Sequence, residues 1–190
     1  RDAIKGAEVF GSIKRGYVSR KSTEDIIARS VLGSAELGSF LTPSQVLNYV
    51  EAHDNYNLYD LLSYVHPNDS QEKIKKQVEV ATAMNLLFQG MAFMQVGQEF
   101  LRTKLVATGE DGEVTPQDRE RAMNSYNAPD AVNQVDWNLV SVNKDTIDYI
   151  RQIIHLKKTL PALSLESYEE IYQHVFVHTA DMGSGVVVFE

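Results

Sequence analysis

Glu51, His53, Asp54 and Asn55 place a carboxylate, an imidazole, a second carboxylate and an amide within one short stretch of chain. Side chains of these types can hydrogen-bond hydroxyls, ligate a cation or hold a proton. Three readings of the group stand side by side. One is a strand end with a solvated Asp. Another is a His–Asp metal site, which needs further ligands nearby. The other histidines, His66, His155, His174 and His178, show no metal spacing to His53, and no metal site is expected. The last is a pocket-lining cluster delivered by a buried strand. A second polar pair, Gln98 and Glu99, reads either as a hydrogen-bonding pair on the same rim or as a structural loop end, with Glu99 capping or pairing with Arg102.

The elements that must position these groups follow from the pattern around them. Residues 46–50 are apolar, β-branched and aromatic, as expected of a buried strand. Leu58, Leu61, Leu62 and Val65 then recur at helical spacing until Pro67. Asp69 with Glu72 resembles a capping box, and Ile74, Val78, Ala81, Met84 and Phe88 step along one helical face towards a stop at Gly90. Residues 91–96 read as a second buried strand, with Met84, Met91 and Met94 as core. A strand, a long helical crossover and another strand form a parallel unit. Both polar clusters should then share the C-terminal rim of one sheet.

Before this unit, residues 1–22 are basic and punctuated by Gly6, Gly11 and Gly16, and read as irregular surface chain. Thr23, Glu24 and Asp25 open a helix that Gly33 stops. After it, residues 102–143 read as a long segment with one helical turn near 116–121, a length that marks a functional or disordered loop. Tyr126, Asn133, Asp136 and Trp137 in this segment suit stacking on a sugar and hydrogen bonding to it; the alternative for Trp137 is a core anchor for the loop. Residues 145–158 form a helix with Lys157 and Lys158 at its dipole's negative end, and Pro161 ends it. Residues 172–178 and 185–189 then read as two antiparallel strands, with a boundary near 161–167.

The 190 residues, 43% hydrophobic and 23% charged, have a globular composition. A formal charge of −8 disfavours nucleic acid and anionic membrane as partners and is compatible with a neutral ligand. No window approaches the ~18–20 apolar residues of a membrane span. The absence of cysteine excludes disulfides and thiol chemistry, and suits cytoplasm as well as the cysteine-poor exported proteins of many bacteria. With no initiator Met and no signal peptide at Arg1, the sequence is expected to begin inside a longer protein or to be processed.

Residues 49–55, with Leu58 and Asp60 behind them, resemble the last motif of the α-amylase clan of glycoside hydrolases. Residues 1–6, 97–104, 125–130, Asp136–Trp137 and the helix ending in Leu160-Pro161-Ala162-Leu163 extend the resemblance to type I pullulanases, the α-1,6-glucan debranching enzymes. The resemblance implies an α/β fold. Residues 1–163 would be the C-terminal portion of a (β/α)8 TIM barrel, with its strands seven and eight at 46–50 and 91–96. Residues 164–190 would open a C-terminal antiparallel β domain. It implies Asp54 as the carboxylate that stabilises the transition state, His53 as the neighbouring donor to the sugar, and Asn55, Tyr126, Asn133, Asp136 and Trp137 as substrate-binding residues. The implied partner is an α-glucan such as pullulan or the branch points of starch and glycogen, with no cofactor; calcium stays open for a longer parent. The family's nucleophilic Asp and acid/base Glu stand on strands four and five, and no residue here matches either. The chain alone is therefore expected to be inactive and, with open strand edges, to self-associate. Another enzyme of the clan (an amylase or glucanotransferase) and a non-catalytic sugar-binding or structural module are the alternatives.

Overall fold

A computed structural model describes residues 1–9 and 12–190 as a mixed helix and sheet fold with three two-stranded sheets. The first corrects the expectation of irregular chain. After the helical turn α1 (Asp2–Lys5), strands β1 (Gly6–Val9) and β2 (Ser12–Arg15) pair antiparallel, with Gly6 opposite Arg15. The glycines are joints rather than surface punctuation. Gly6 has φ +97°, and a Cβ there would lie 2.2 Å from the Lys14 carbonyl oxygen; one at Gly16 would lie 2.5 Å from that of Ile4. Ile4 and Lys5 are consequently buried. Gly11 lies outside the described residues.

Helix α2 (Glu24–Val31) begins where expected, but the Thr23 hydroxyl donates to the Ala3 carbonyl instead of capping it. Glu24 is buried and accepts hydrogen bonds from the Ser22 hydroxyl and, across 161 residues, from the Gly185 amide. The Ser22 hydroxyl, helped by backbone amides of Glu24, Gly185 and Gly183, holds its carboxyl down at about 2. Tyr17 adds a hydroxyl donated to the Gly185 carbonyl at 2.7 Å.

Strand β3 (Leu47–Asn48), helices α3 (Leu58–Val65) and α4 (Gln71–Leu87), and strand β4 (Met91–Ala92) form the parallel unit. Leu47 pairs with Met91 and Asn48 with Ala92; the Met91 and Phe93 amides donate to the Val46 and Asn48 carbonyls. Val50, Leu58, Leu62, Ile74, Val78, Ala81 and Phe88 close the core between strand and helices. The α4 cap sits one residue later than the sequence suggests. Ser70 accepts from the Lys73 amide, which frees Asp69 to pair with the side chains of Lys73 and Arg20. Burial of both strands is corrected as well: Leu47 is 53% and Met91 50% exposed, with Phe93 and Val96 also exposed. Each strand has the other as its one sheet partner among the described residues, so β4 keeps an open edge and an uncovered face.

The long segment holds more structure than one turn: α5 (Pro116–Met123), α6 (Asp130–Asn133) and α7 (Leu139–Val142). Asp118 makes the first of these. Its carboxylate accepts from the amides and hydroxyls of both Thr108 and Thr115, which holds its pKa far below the carboxylate range and fastens residues 108–115 to the helix start. Helix α8 (Lys144–Thr159) packs on α4 through Lys75–Asp145 and a Thr146 hydroxyl donated to Glu79. Lys157 does more than answer the dipole: its ammonium donates to the Phe88, Gly90 and Leu163 carbonyls.

The strand expected over residues 172–178 is corrected in its first part: 172–174 are helical, and strand begins only at 177. Ser167 and Glu170 form a reciprocal capping box that starts α9 (Tyr168–His174), and only then does β5 (Val177–Thr179) pair antiparallel with β6 (Val188–Phe189). The first three of the alternating residues, 172–174, lie on a helix because its start is so strongly capped.

Candidate functional site

The polar cluster sits on residues 51–57, between the end of β3 and the start of α3. Four side chains fasten this turn. Glu51 accepts the Leu58 amide at 2.7 Å and so caps α3 from behind. Lys5 donates to the Tyr56 carbonyl at 2.7 Å. Asn57 donates to the Arg102 carbonyl at 3.1 Å. Lys104, only 2% exposed, donates to the Asn55 carbonyl at 2.6 Å, the His53 carbonyl at 3.2 Å and the Ser125 hydroxyl at 3.2 Å. Burial raises Glu51 to about 7 and lowers Lys5 to about 8, and it also lowers Lys104 and raises Asp60. Asp60 accepts the Lys104 amide at 2.8 Å, so α3 holds the backbone of the residue whose side chain grips the turn.

His53 and Asp54 are left at the surface with their side chains largely free, His53 Nε2 standing 3.6 Å from Asp54 Oδ1. They face a pocket of about 210 Å³ whose other walls include Tyr126 and Asn133. The structure thus brings four of the residues singled out from sequence to one place. Tyr126 is 82% exposed and offers its ring to the pocket. Asn133 has its amide nitrogen committed to the Ser125 and Ala128 carbonyls, so it shapes the wall more than it offers a donor.

The other three are elsewhere. Asn55 does not line the pocket; it adopts a left-handed φ of +65° and gives its carbonyl to Lys104. Asp136 caps its own turn by accepting from the Asn138 backbone and side chain. Trp137 is 64% exposed, with its ring 5.7 Å from that of buried Phe100, partly anchor and partly open surface. Gln98 is buried against Thr82, and Glu99 accepts from the Gly97 amide, so the rim pair is structural.

Gln95, Arg102, Lys104 and Ser125 complete the pocket and went unnoticed as site residues. The one sequence signal was two cations at alternate positions, Arg102 and Lys104, directly after the second strand's polar end. Arg102 Nη2 donates to the Asn133 carbonyl, and Arg102 packs so closely on Gly97 that a Cβ there would meet it at 2.6 Å.

Chemically the pocket offers one carboxylate, one imidazole, an aromatic ring and two cations. Asp54 is the one carboxylate lining it among the described residues, and those residues contain no group of three or more His, Cys, Asp or Glu able to hold a metal. One carboxylate can bind vicinal hydroxyls of a sugar. It cannot by itself supply the acid and nucleophile pair, about 5–5.5 Å apart, of a retaining glycosidase. A larger hollow of about 880 Å³, between Met91, Met94, Ile154 and Leu165, is mostly apolar; Lys157, Lys158 and Glu166 also line it, but it has no imidazole and no aromatic ring.

No family model matches the chain. It is 32% identical over 180 residues to the pullulanase of Bacillus subtilis (strain 168), covering 92% of this chain and 23% of that protein. Its structure superposes on pullulanase of Paenibacillus barengoltzii, in a D470A mutant complexed with maltotetraose, with a TM-score of 0.82 at 32% identity over 100% of this chain and 27% of that one. Pullulanase from Bacillus acidopullulyticus matches with a TM-score of 0.81 and 32% identity, covering 99% and 21%. The chain thus spans about a quarter or less of the length of these proteins.

Proposed function

The chain is a type I pullulanase-like segment, and from that premise we propose that it forms one side of the α-glucan site of a debranching glycoside hydrolase. One observation carries the reading: Asp54 and His53 share a pocket with the exposed ring of Tyr126. Asp54 binds ring hydroxyls of the sugar at the cleavage point, with bonds that strengthen as the ring flattens in the transition state. His53 donates beside it, and Tyr126 stacks on an apolar sugar face. The reaction of the whole enzyme is hydrolysis of α-1,6 bonds with retention. Strands β3 and β4 correspond to the last two of a (β/α)8 barrel, residues 1–163 to its C-terminal portion, and residues 164–190 to the opening of an antiparallel domain.

The 190-residue chain alone binds maltooligosaccharide and does not cleave it. Titration of maltotetraose followed by NMR is expected to shift the His53 and Tyr126 ring signals. Asp54→Ala removes a charged acceptor and should weaken binding by about tenfold or more. No reducing ends should appear from pullulan. An unchanged affinity in the variant, or turnover by the pure chain, overturns the respective half of the reading.

Self-association follows from the open edge of β4 with exposed Met91 and Phe93, a surface that pairs readily with another copy. Light scattering is expected to show a mass that rises with concentration, and Phe93→Lys should suppress the rise. A concentration-independent monomer mass would remove this part of the proposal.

A further inference from the structure

The pocket exists because two stretches far apart in sequence meet: residues 53–54 on one side, and Tyr126 with Asn133 on the other. Among the hydrogen bonds of this region, one side chain reaches both stretches. We infer that Lys104 is the positioning residue of the site, its ammonium fixing the His53–Asn55 turn against Ser125 so that Asp54 and Tyr126 face the same ligand. This rests on the reading that the pocket takes a glucan, and it assigns the residue that sets the pocket's shape.

The geometry suits that role in three ways. An ammonium has three protons, and Lys104 has three oxygen acceptors: the carbonyls of His53 and Asn55, 51 and 49 residues away, and the Ser125 hydroxyl, 21 residues away. Those acceptors flank Asp54 on one side and adjoin Tyr126 on the other. The lysine backbone is itself held, because its amide donates to Asp60 on α3. The shortest of the contacts, 2.6 Å, falls on Asn55, whose left-handed φ of +65°, a conformation asparagine adopts readily, turns the chain at this point. Lys104 does not touch the sugar in this scheme. It sets the distance between the groups that do.

Lys157 supplies an internal comparison. It too grips three backbone carbonyls, those of Phe88, Gly90 and Leu163, but it lines the larger, mostly apolar hollow and not the Asp54 pocket. A lysine that merely stabilises the fold should behave like Lys157.

The experiment compares Lys104→Met with Lys157→Met in the full chain. It reads thermal midpoint, amide exchange at residues 53–56, the His53 ring signals, and the dissociation constant for maltotetraose. Lys104→Met should accelerate exchange at 53–56, move the His53 signals and weaken maltotetraose by about tenfold or more. Lys157→Met should lower the midpoint and leave the other three unchanged. Because the sequence has no cysteine, Lys104→Cys gives a single alkylation site; aminoethylation in the unfolded state and refolding restores an ammonium at nearly native reach. That product should recover wild-type exchange and affinity. If Lys104→Met does not fold, Ser125→Ala removes one acceptor and should show a smaller change of the same kind. Equal effects of the two Met variants on exchange and affinity, or no effect of either Lys104→Met or Ser125→Ala, overturn the assignment. Exchange and ring signals are read without sugar. A wild-type chain that ignores maltotetraose therefore sinks the glucan reading, while the positioning role stands or falls on its own data.

Discussion

Gly6→Ala is expected to cost more than about 4 kcal/mol of unfolding free energy, among the largest effects a single methyl group can have. Gly6 combines φ +97° with ψ −178°, a region essentially closed to residues with a Cβ. The added methyl would also lie 2.2 Å from the Lys14 carbonyl oxygen and 2.9 Å from the Gly16 amide nitrogen. Both are backbone atoms, so no flexible side chain can step aside. Relief requires the Gly6–Arg15 pairing to open, and α1 then loses its anchor. Burial of Ile4 is lost with it, as are the hydrogen bond from Lys5 to Tyr56 and that from Thr23 to Ala3. Gly112→Ala is the matched comparison. Its φ is +79°, yet a Cβ there meets nothing within 4 Å, so only the local strain of about 1–2 kcal/mol applies. Urea unfolding followed by circular dichroism measures both. Similar losses in the two variants would show that backbone crowding at Gly6 is not what matters.

Between pH 5 and 7 the wild-type chain should lose stability relative to Glu51→Gln. Burial raises Glu51 from 4.5 to about 7, although the Leu58 amide and the Lys5 ammonium both pull it down. In this window the folded chain keeps a proton that the unfolded chain has released. The stabilisation is complete below the unfolded value and disappears as pH rises through the folded one, with a size on the order of 2–3 kcal/mol. Lys5 has the opposite window: burial lowers it from 10.5 to about 8, so stability rises with pH above that. Together the two groups produce a trough near pH 7–8. Glu24 and Asp118, held low by their hydrogen bonds, favour the fold above the acid range in both proteins and cancel from the difference. Urea titrations at pH 5, 6, 7 and 8 test this. A difference that stays flat from 5 to 7 would mean that Glu51 is ionised throughout.

What could be read from the sequence divides along the range of the interactions responsible. The unit β3–α3–α4–β4 was legible because its apolar residues repeat with local periods, and because a crossover of two helices leaves only parallel pairing. His53 and Asp54 were legible for the same reason, being the polar end of one such run. Exposure of Met91 was not, since a six-residue apolar run says nothing about how many neighbours its strand has. The N-terminal hairpin was hidden because the need for Gly6 and Gly16 arises from two chain segments touching. Helix α9 announced itself in Ser167 and Glu170, but the alternation of residues 172–178 masked the signal. Lys104 shows the limit most clearly. Two cations at alternate positions after a strand carry no mark that three acceptors from two other stretches will surround the second of them.

The hydrogen bonds from Gly185 and Tyr17 also constrain how the chain matures. Glu24 receives the Gly185 amide across 161 residues and Tyr17 reaches its carbonyl across 168. On a ribosome adding roughly 5–20 residues per second, Glu24 waits about 8–30 s for that partner to be synthesised. During that interval the start of α2 keeps a solvated carboxylate where the finished protein has a buried one. Closure of the fold around residues 17–24 therefore cannot precede the synthesis of residue 185.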